Sequence, residues 1–157
     1  MARQFQEPLK AFRFLVELDG KAVPAAAFTG FSGIQMEVET ISVRSGNDIR
    51  GVQEEIPIRT KFGPVTLTKG IVGDDDFLNW LFSVAAGPHI GSTSLNPYRN
   101  IDVVALDDQG NRSVIWTLYD ALPVRYVLSP MDGGRSEVLS ESITFAISGM
   151  DRKIIQT

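Results

Sequence analysis

The side chains that most often carry chemistry are scarce in this chain: among 157 residues there is one histidine, His89, and no cysteine. A serine triad would have to be built on His89, which follows Gly87-Pro88 and has Ser83, Ser92 and Ser94 nearby in sequence. None of these serines sits in the strand-turn-helix setting of a nucleophile elbow. Without cysteine there is no thiolate catalysis, no cysteine metal ligand and no disulfide framework. Asp74-Asp75-Asp76 offers three consecutive carboxylates to a divalent cation, but at the head of an apolar-periodic segment they read more simply as a helix cap that complements the helix dipole. Asp107-Asp108-Gln109-Gly110-Asn111 has the flavour of a calcium loop yet lacks the ligand spacing and closing glutamate of the twelve-residue pattern, which leaves a hairpin turn. Gly133-Gly134-Arg135 lacks both the strand-to-helix context and the Lys-Ser/Thr ending of a phosphate loop. Trp80 and Phe82 read as packing side chains. The residues predict no catalytic, cofactor-binding or metal site.

The elements that would hold such residues are mostly strands. Phe12, Phe14, Val16 and Leu18 share one face, with Arg13 and Glu17 on the other and Leu15 breaking the alternation, up to the Asp19-Gly20 turn. Ile34, Met36 and Val38 hold the even phase and Ile41 and Val43 the odd one, so a bulge near Thr40 is expected. Gly46-Asn47-Asp48 and Gly51 bracket a loop, after which Val52, Ile56 and Ile58 resume; residues 34–58 form one long protruding hairpin. Val65 and Leu67 alternate with Thr66 and Thr68 in a strand with one buried face. The period then changes, because Phe77, Trp80, Leu81 and Val84 make one helical stripe over about 74–86, stopped by Gly87-Pro88. An ordered loop to Asn100 is followed by a second hairpin through Val103 and Trp116. Leu122 to Leu128 extends again with Pro123 at an edge or bend, and the last strand puts Leu139, Ile143, Phe145 and Ile147 on one face against Ser140, Ser142 and Thr144.

This pattern predicts a mainly β fold, an antiparallel barrel or sandwich with one flanking helix, as a single domain over 1–157. The formal charge of −4 gives no reason to expect a nucleic-acid-coating surface. Met1 to Pro8 has no apolar core resembling a signal peptide, and no run approaches the ~20 apolar residues of a membrane span. Strand faces of Ser and Thr suit either plain solvation or sheets that continue across subunit boundaries. A structural subunit, a monomeric small-ligand-binding barrel and an enzyme on a β scaffold are the competing classes; scarce histidine and absent cysteine disfavour the last.

Several blocks also resemble a known family. Lys10-Ala11-Phe12-Arg13-Phe14 with Glu17-Leu18-Asp19-Gly20, Phe28 to Gly33 with Met36-Glu37-Val38-Glu39, Lys61 to Leu67 before Lys69-Gly70, and Trp116 to Val124 with Ser136-Glu137-Val138-Leu139 and Glu141-Ser142-Ile143 resemble, in order and spacing, the tail tube proteins of contractile phages and phage-derived injection systems. The Type VI secretion tube protein is a more distant relative. The resemblance implies a homo-hexameric ring whose sheets join into one inner wall, with rings stacked into a hollow tube inside a sheath. Baseplate or tube-initiator and tube-terminator proteins would be further partners, and DNA or effector protein would pass transiently through the lumen without stable nucleic-acid binding. Assembly in the bacterial cytoplasm and residence in a virion tail or released particle follow from the same likeness, and a baseplate tube-initiator homologue is the alternative within it. The hairpin tip, Ser45, Gly46, Asn47, Asp48, Ile49, Arg50 and Gly51, is the expected subunit or ring contact. Ser140, Ser142 and Thr144 are expected to face a hydrophilic, neutral-to-negative lumen.

Overall fold

Wherever one phase of the alternation is apolar, the chain forms paired strand. The computed structural model describes residues 9–10, 13–22, 28–44, 46–47, 49–71, 76–86, 97–134 and 139–155. In chain order these form β1 (Phe14–Leu18), β2 (Lys21–Ala22), β3 (Phe28–Phe31), β4 (Met36–Arg44), β5 (Gln53–Phe62), β6 (Val65–Gly70), α1 (Asp76–Ala86), β7 (Arg99–Leu106), β8 (Arg112–Leu128), β9 (Ser140–Ala146) and β10 (Gly149–Ile154). All pairings are antiparallel, and the main sheet runs β2-β1-β7-β8-β9-β6-β3 with β10 also on β8.

One strand, β8, joins two halves of this sheet. Its first part pairs with β7 and β10, and Leu122 to Leu128 pairs with β9. Between them Asp120 adopts φ 51°, a left-handed conformation that a short polar side chain tolerates, and its amide donates to Asn100 Oδ1 at 3.2 Å. The kink turns β8 from one layer into the other. Among the described residues the path stays open from β2 to β3, so of the barrel and sandwich expected, the sandwich is the one formed.

The core lies between the layers. Val16, Leu18, Ile101, Val103 and Leu118 meet Val65, Leu67, Ile143 and Phe145, each side chain contributing about 1.5–3 kcal/mol by leaving water. Helix α1 closes the open side with the expected stripe: Phe77 meets Phe28 and Phe145 edge-on at 5.7 and 5.8 Å between ring centroids, and Trp80 stacks on Phe145 at 5.3 Å. The indole Nε1 donates to the Pro97 carbonyl at 2.7 Å. Trp80 is thus a packing residue, whereas Phe82, expected to pack as well, is exposed.

Three boundaries differ from expectation. β5 continues to Phe62 rather than ending near residue 58. The segments around Trp116 and Leu122–Leu128 are one strand, with an irregularity between Pro123 and Arg125 where a bend was expected. β10 was not foreseen, because Met150-Asp151-Arg152-Lys153 has no apolar phase; it is held by backbone pairing to β8 with its side chains largely in water. Asp74 and Asp75, the loop segment 87–96 with His89, Ser92 and Ser94, the N-terminal stretch 1–8, and residues 135–138 lie outside the described residues.

Candidate assembly surfaces

The described residues from the chemical candidates are occupied by local structure. Asp107 Oδ1 accepts the amides of Gln109 and Asn111 at 2.9 and 2.8 Å and Gly110 takes φ 85°, so this carboxylate organises its own turn. Ser83 Oγ donates to the Trp80 carbonyl one turn back, at 2.7 Å, and Asp132 Oδ1 accepts the Gly134 amide at 3.0 Å.

Sequence reasoning missed a buried polar cluster at one end of the sandwich. Lys69 and Glu141, opposite each other on β6 and β9, form an ion pair at 3.4 Å with each side chain only 4% exposed. Tyr126 on β8 donates its hydroxyl to Glu141 Oε2 at 2.6 Å. The signal was present: Lys69 continues the phase of Val65 and Leu67, and Glu141 that of Ile143 and Phe145. A charge in the buried phase of a strand needs a partner in the same phase of its neighbour.

Two surfaces remain without intramolecular cover. The first is the arm made by β4 and β5, which pair only with each other among the described strands. Its register runs from Met36 opposite Phe62 to Arg44 opposite Gln53, and shifts between Glu39 and Thr40, where a bulge was expected; the extra residue, Ile58, lies on β5. At the tip Gly46-Asn47 and Ile49-Arg50 form turns, Gly51 has φ 64°, and Ile49 is fully exposed; Ser45 and Asp48 lie outside the described residues. Met36, Val38, Ile41, Val43, Ile56 and Ile58 are all exposed as well. An isolated two-stranded ribbon is marginal in water, and this one leaves an apolar surface of the kind that marks an interaction site.

Two polar networks stiffen the arm. Glu39 accepts Arg59 and Lys61 from the opposite strand, and these hydrogen bonds, Arg59 foremost, hold its carboxyl below the ordinary range while Glu39 raises Lys61. Glu55 accepts Ser42 Oγ, and Thr40 Oγ1 at 2.7 Å, which lowers its pKa in the same way.

The second uncovered surface is the face of β6, β9 and β8 opposite the core. Ser140, Ser142 and Thr144 share it with Gly70, Thr68 and Thr66, their cross-strand partners. The hydroxyls form a ladder, Thr66 to Thr144 at 2.9 Å and Thr68 to Ser142 at 3.1 Å. On β8 the register adds Arg125 and Val127. Beside the hydroxyls, Leu122 to Leu128 and β6 carry no acidic residue, and Glu141 of β9 is buried on the core side instead.

Open strand edges and an undocked ribbon with exposed apolar side chains are surfaces suited to association with other chains. The chain belongs to the family of T4-like virus tail tube protein gp19, whose profile matches residues 10–151, and it is a structural subunit of a tail tube. Among solved structures, one resembling it is the sheath-tube complex of an extracellular contractile injection system, PVC, in the extended state, at 20% identity with 96% of this chain and 95% of that one covered and a TM-score of 0.77. The baseplate of the anti-feeding prophage, 6-fold symmetrised, gives 22% identity, 95% and 97% coverage and a TM-score of 0.75. Hcp1 from Flavobacterium johnsoniae gives 14%, 93% and 98%, with a TM-score of 0.58. At these identities the likeness is one of fold. A comparison with curated proteins returned no match.

Proposed function

We propose that this chain forms homo-hexameric rings that stack into the hollow inner tube of a contractile injection machine, a phage tail or phage-derived particle, serving as a conduit and not as an enzyme. The observation that carries this reading is the arm, whose exposed residues on both faces of an isolated two-stranded sheet require cover from other copies. The ends of the main sheet support it. Within the described strands, β3 pairs only with β6, and Leu122 to Leu128 of β8 only with β9. Pairing β3 of one copy with that part of β8 in the next continues the sheet around a ring and removes both open edges. The hydroxyl face, with Ser140, Ser142 and Thr144, then lines the lumen.

A tube of this kind sits within a sheath, between a baseplate initiator and a terminator, and passes DNA or effector protein without holding it; assembly takes place in the bacterial cytoplasm. Ile49 at the arm tip tests the stacking contact. Ile49→Asp is expected to leave the circular-dichroism spectrum and thermal unfolding unchanged while tube yield falls at least tenfold, because the core lies elsewhere. Unchanged tube yield would remove the tip from the interface.

A further inference from the structure

Arg125 is the one charge on the hydroxyl face of β6, β9 and β8 among the described residues, in a chain whose formal charge is −4. A strand irregularity puts it there. Pro123 lies opposite Phe145 of the core and Arg125 opposite Thr144, so Val124 is the extra residue and the bulge turns the guanidinium to the hydroxyl side. The side chain is exposed and makes no hydrogen bond or ion pair within the described residues.

Neither of the usual ways of neutralising such a charge is open to Arg125. Within the subunit, the hydroxyls of Thr144 and Thr66 beside it bond each other at 2.9 Å, and Glu141, the only carboxylate of β9, is buried on the core side with Lys69 and Tyr126. In the assembly, the strand laid against this part of β8 is β3 of the next copy, and Phe28 to Gly33 contain no carboxylate. Resting on the ring-and-tube reading above, we propose that Arg125 is the cargo-selecting residue of the channel: one guanidinium per subunit, repeated around every ring and along every ring of the stack, takes the phosphodiester backbone of a nucleic acid. Regularity decides for nucleic acid over acidic protein. A duplex presents a negative charge about every 1.7 Å of its axis, so every ring of guanidiniums meets phosphate wherever the polymer stands, whereas carboxylates on a folded protein are spaced irregularly and meet few rings at once. Guanidinium fits phosphate oxygens with paired hydrogen bonds, and a phosphate contact carries no sequence information, so the polymer passes from one ring to the next as it advances. Thr66 with Thr144 and Thr68 with Ser142 satisfy each other, so the rest of the face adds no strong contact that would arrest it.

The test uses tubes assembled in the presence of either a fluorescent oligothymidylate or a small acidic protein of matched charge, then washed while salt is raised. Wild-type tubes should retain the oligonucleotide at low salt and release it steeply as salt rises, and should retain about tenfold less of the acidic protein. Arg125→Gln should lower oligonucleotide retention about tenfold at unchanged tube yield, and Arg125→Lys, which keeps the charge, should preserve most of it. Arg125→Met repeats the comparison should the glutamine variant fail to assemble. Retention that the neutral variants leave unchanged, or acidic protein held as well as the oligonucleotide, overturns the proposal. The absence of native cysteine allows a separate check on the reading beneath it. Arg125→Cys should react with a maleimide on a bulky carrier in free subunits and be protected in intact tubes; equal reaction in both, or failure of the wild-type chain to form tubes, would overturn the assignment of this face to the lumen.

Discussion

Lys69 shows how a residue can be decisive for the fold and invisible in a polarity pattern. Its pairing with Glu141, inside a sandwich where both side chains are 4% exposed, means that removing either partner strands the other charge. Lys69→Met is therefore expected to destabilise the subunit by about 3–5 kcal/mol in chemical denaturation, and the double change with Glu141→Leu should recover most of that loss. A double variant destabilised by the sum of the losses of Lys69→Met and Glu141→Leu measured singly would show that the charges are not coupled. The hydroxyl positions were legible because Ser140, Ser142 and Thr144 alternate with buried Ile143 and Phe145. Glu141 was not, because a carboxylate in the apolar phase reads as a lapse in the alternation until a lysine is found directly across the sheet. Arg125 was missed for a related reason: the irregularity after Pro123 moves it onto the hydroxyl face.

The arm is the element whose stability depends most on solution conditions. Glu39 and Glu55 have folded-state pKa values below their unfolded ones, through Arg59 and Lys61 for the first and Ser42 and Thr40 for the second. Their contribution is complete above the ordinary glutamate range and is lost as pH falls through the depressed values. Lys61 is shifted up, so its contribution is complete below the ordinary lysine range and fades as pH rises through the raised value. Amide exchange in β4 and β5 should thus speed up below about pH 4 before the core strands respond, and Glu39→Gln should flatten that acid response. Simultaneous loss of protection in the arm and in β9 would contradict this. The hairpin could be read from the sequence, but the bulge only in its place: the change of apolar phase from Val38 to Ile41 puts the extra residue on β4, whereas it is Ile58 on β5, so the two apolar pairs stay on opposite faces. β10 could not, since an edge strand held by backbone hydrogen bonds leaves no apolar trace.

At the scale of the whole molecule, local patterns identify a β-rich chain but not how its layers close, because that depends on Asp120 turning β8 between them, and aspartate at such a position has no periodic signature. Assembly raises the same difficulty: unpaired edges and an uncovered arm are properties of three-dimensional arrangement. The wall of the tube follows from the arrangement too. With Ser and Thr hydroxyls bonded to one another and Arg125 making no ion pair within the described residues, the lumen should be hydrophilic with one cation per subunit. Intact tubes should retain a short DNA oligonucleotide weakly at low salt, and Arg125→Gln should remove that retention without altering tube yield. Retention unchanged by the substitution would place Arg125 away from the lumen.

The central claim, that this chain is a ring-forming tube subunit whose arm is covered by its copies, is tested most directly by cryo-electron microscopy of the purified protein across micromolar concentrations, with mass photometry of the same samples. The account predicts six-fold rings that stack into hollow tubes, β4 and β5 enclosed by neighbouring copies and Ser140, Ser142 and Thr144 lining the channel. Monomer alone at every concentration, or rings that leave the arm in solvent, would contradict it.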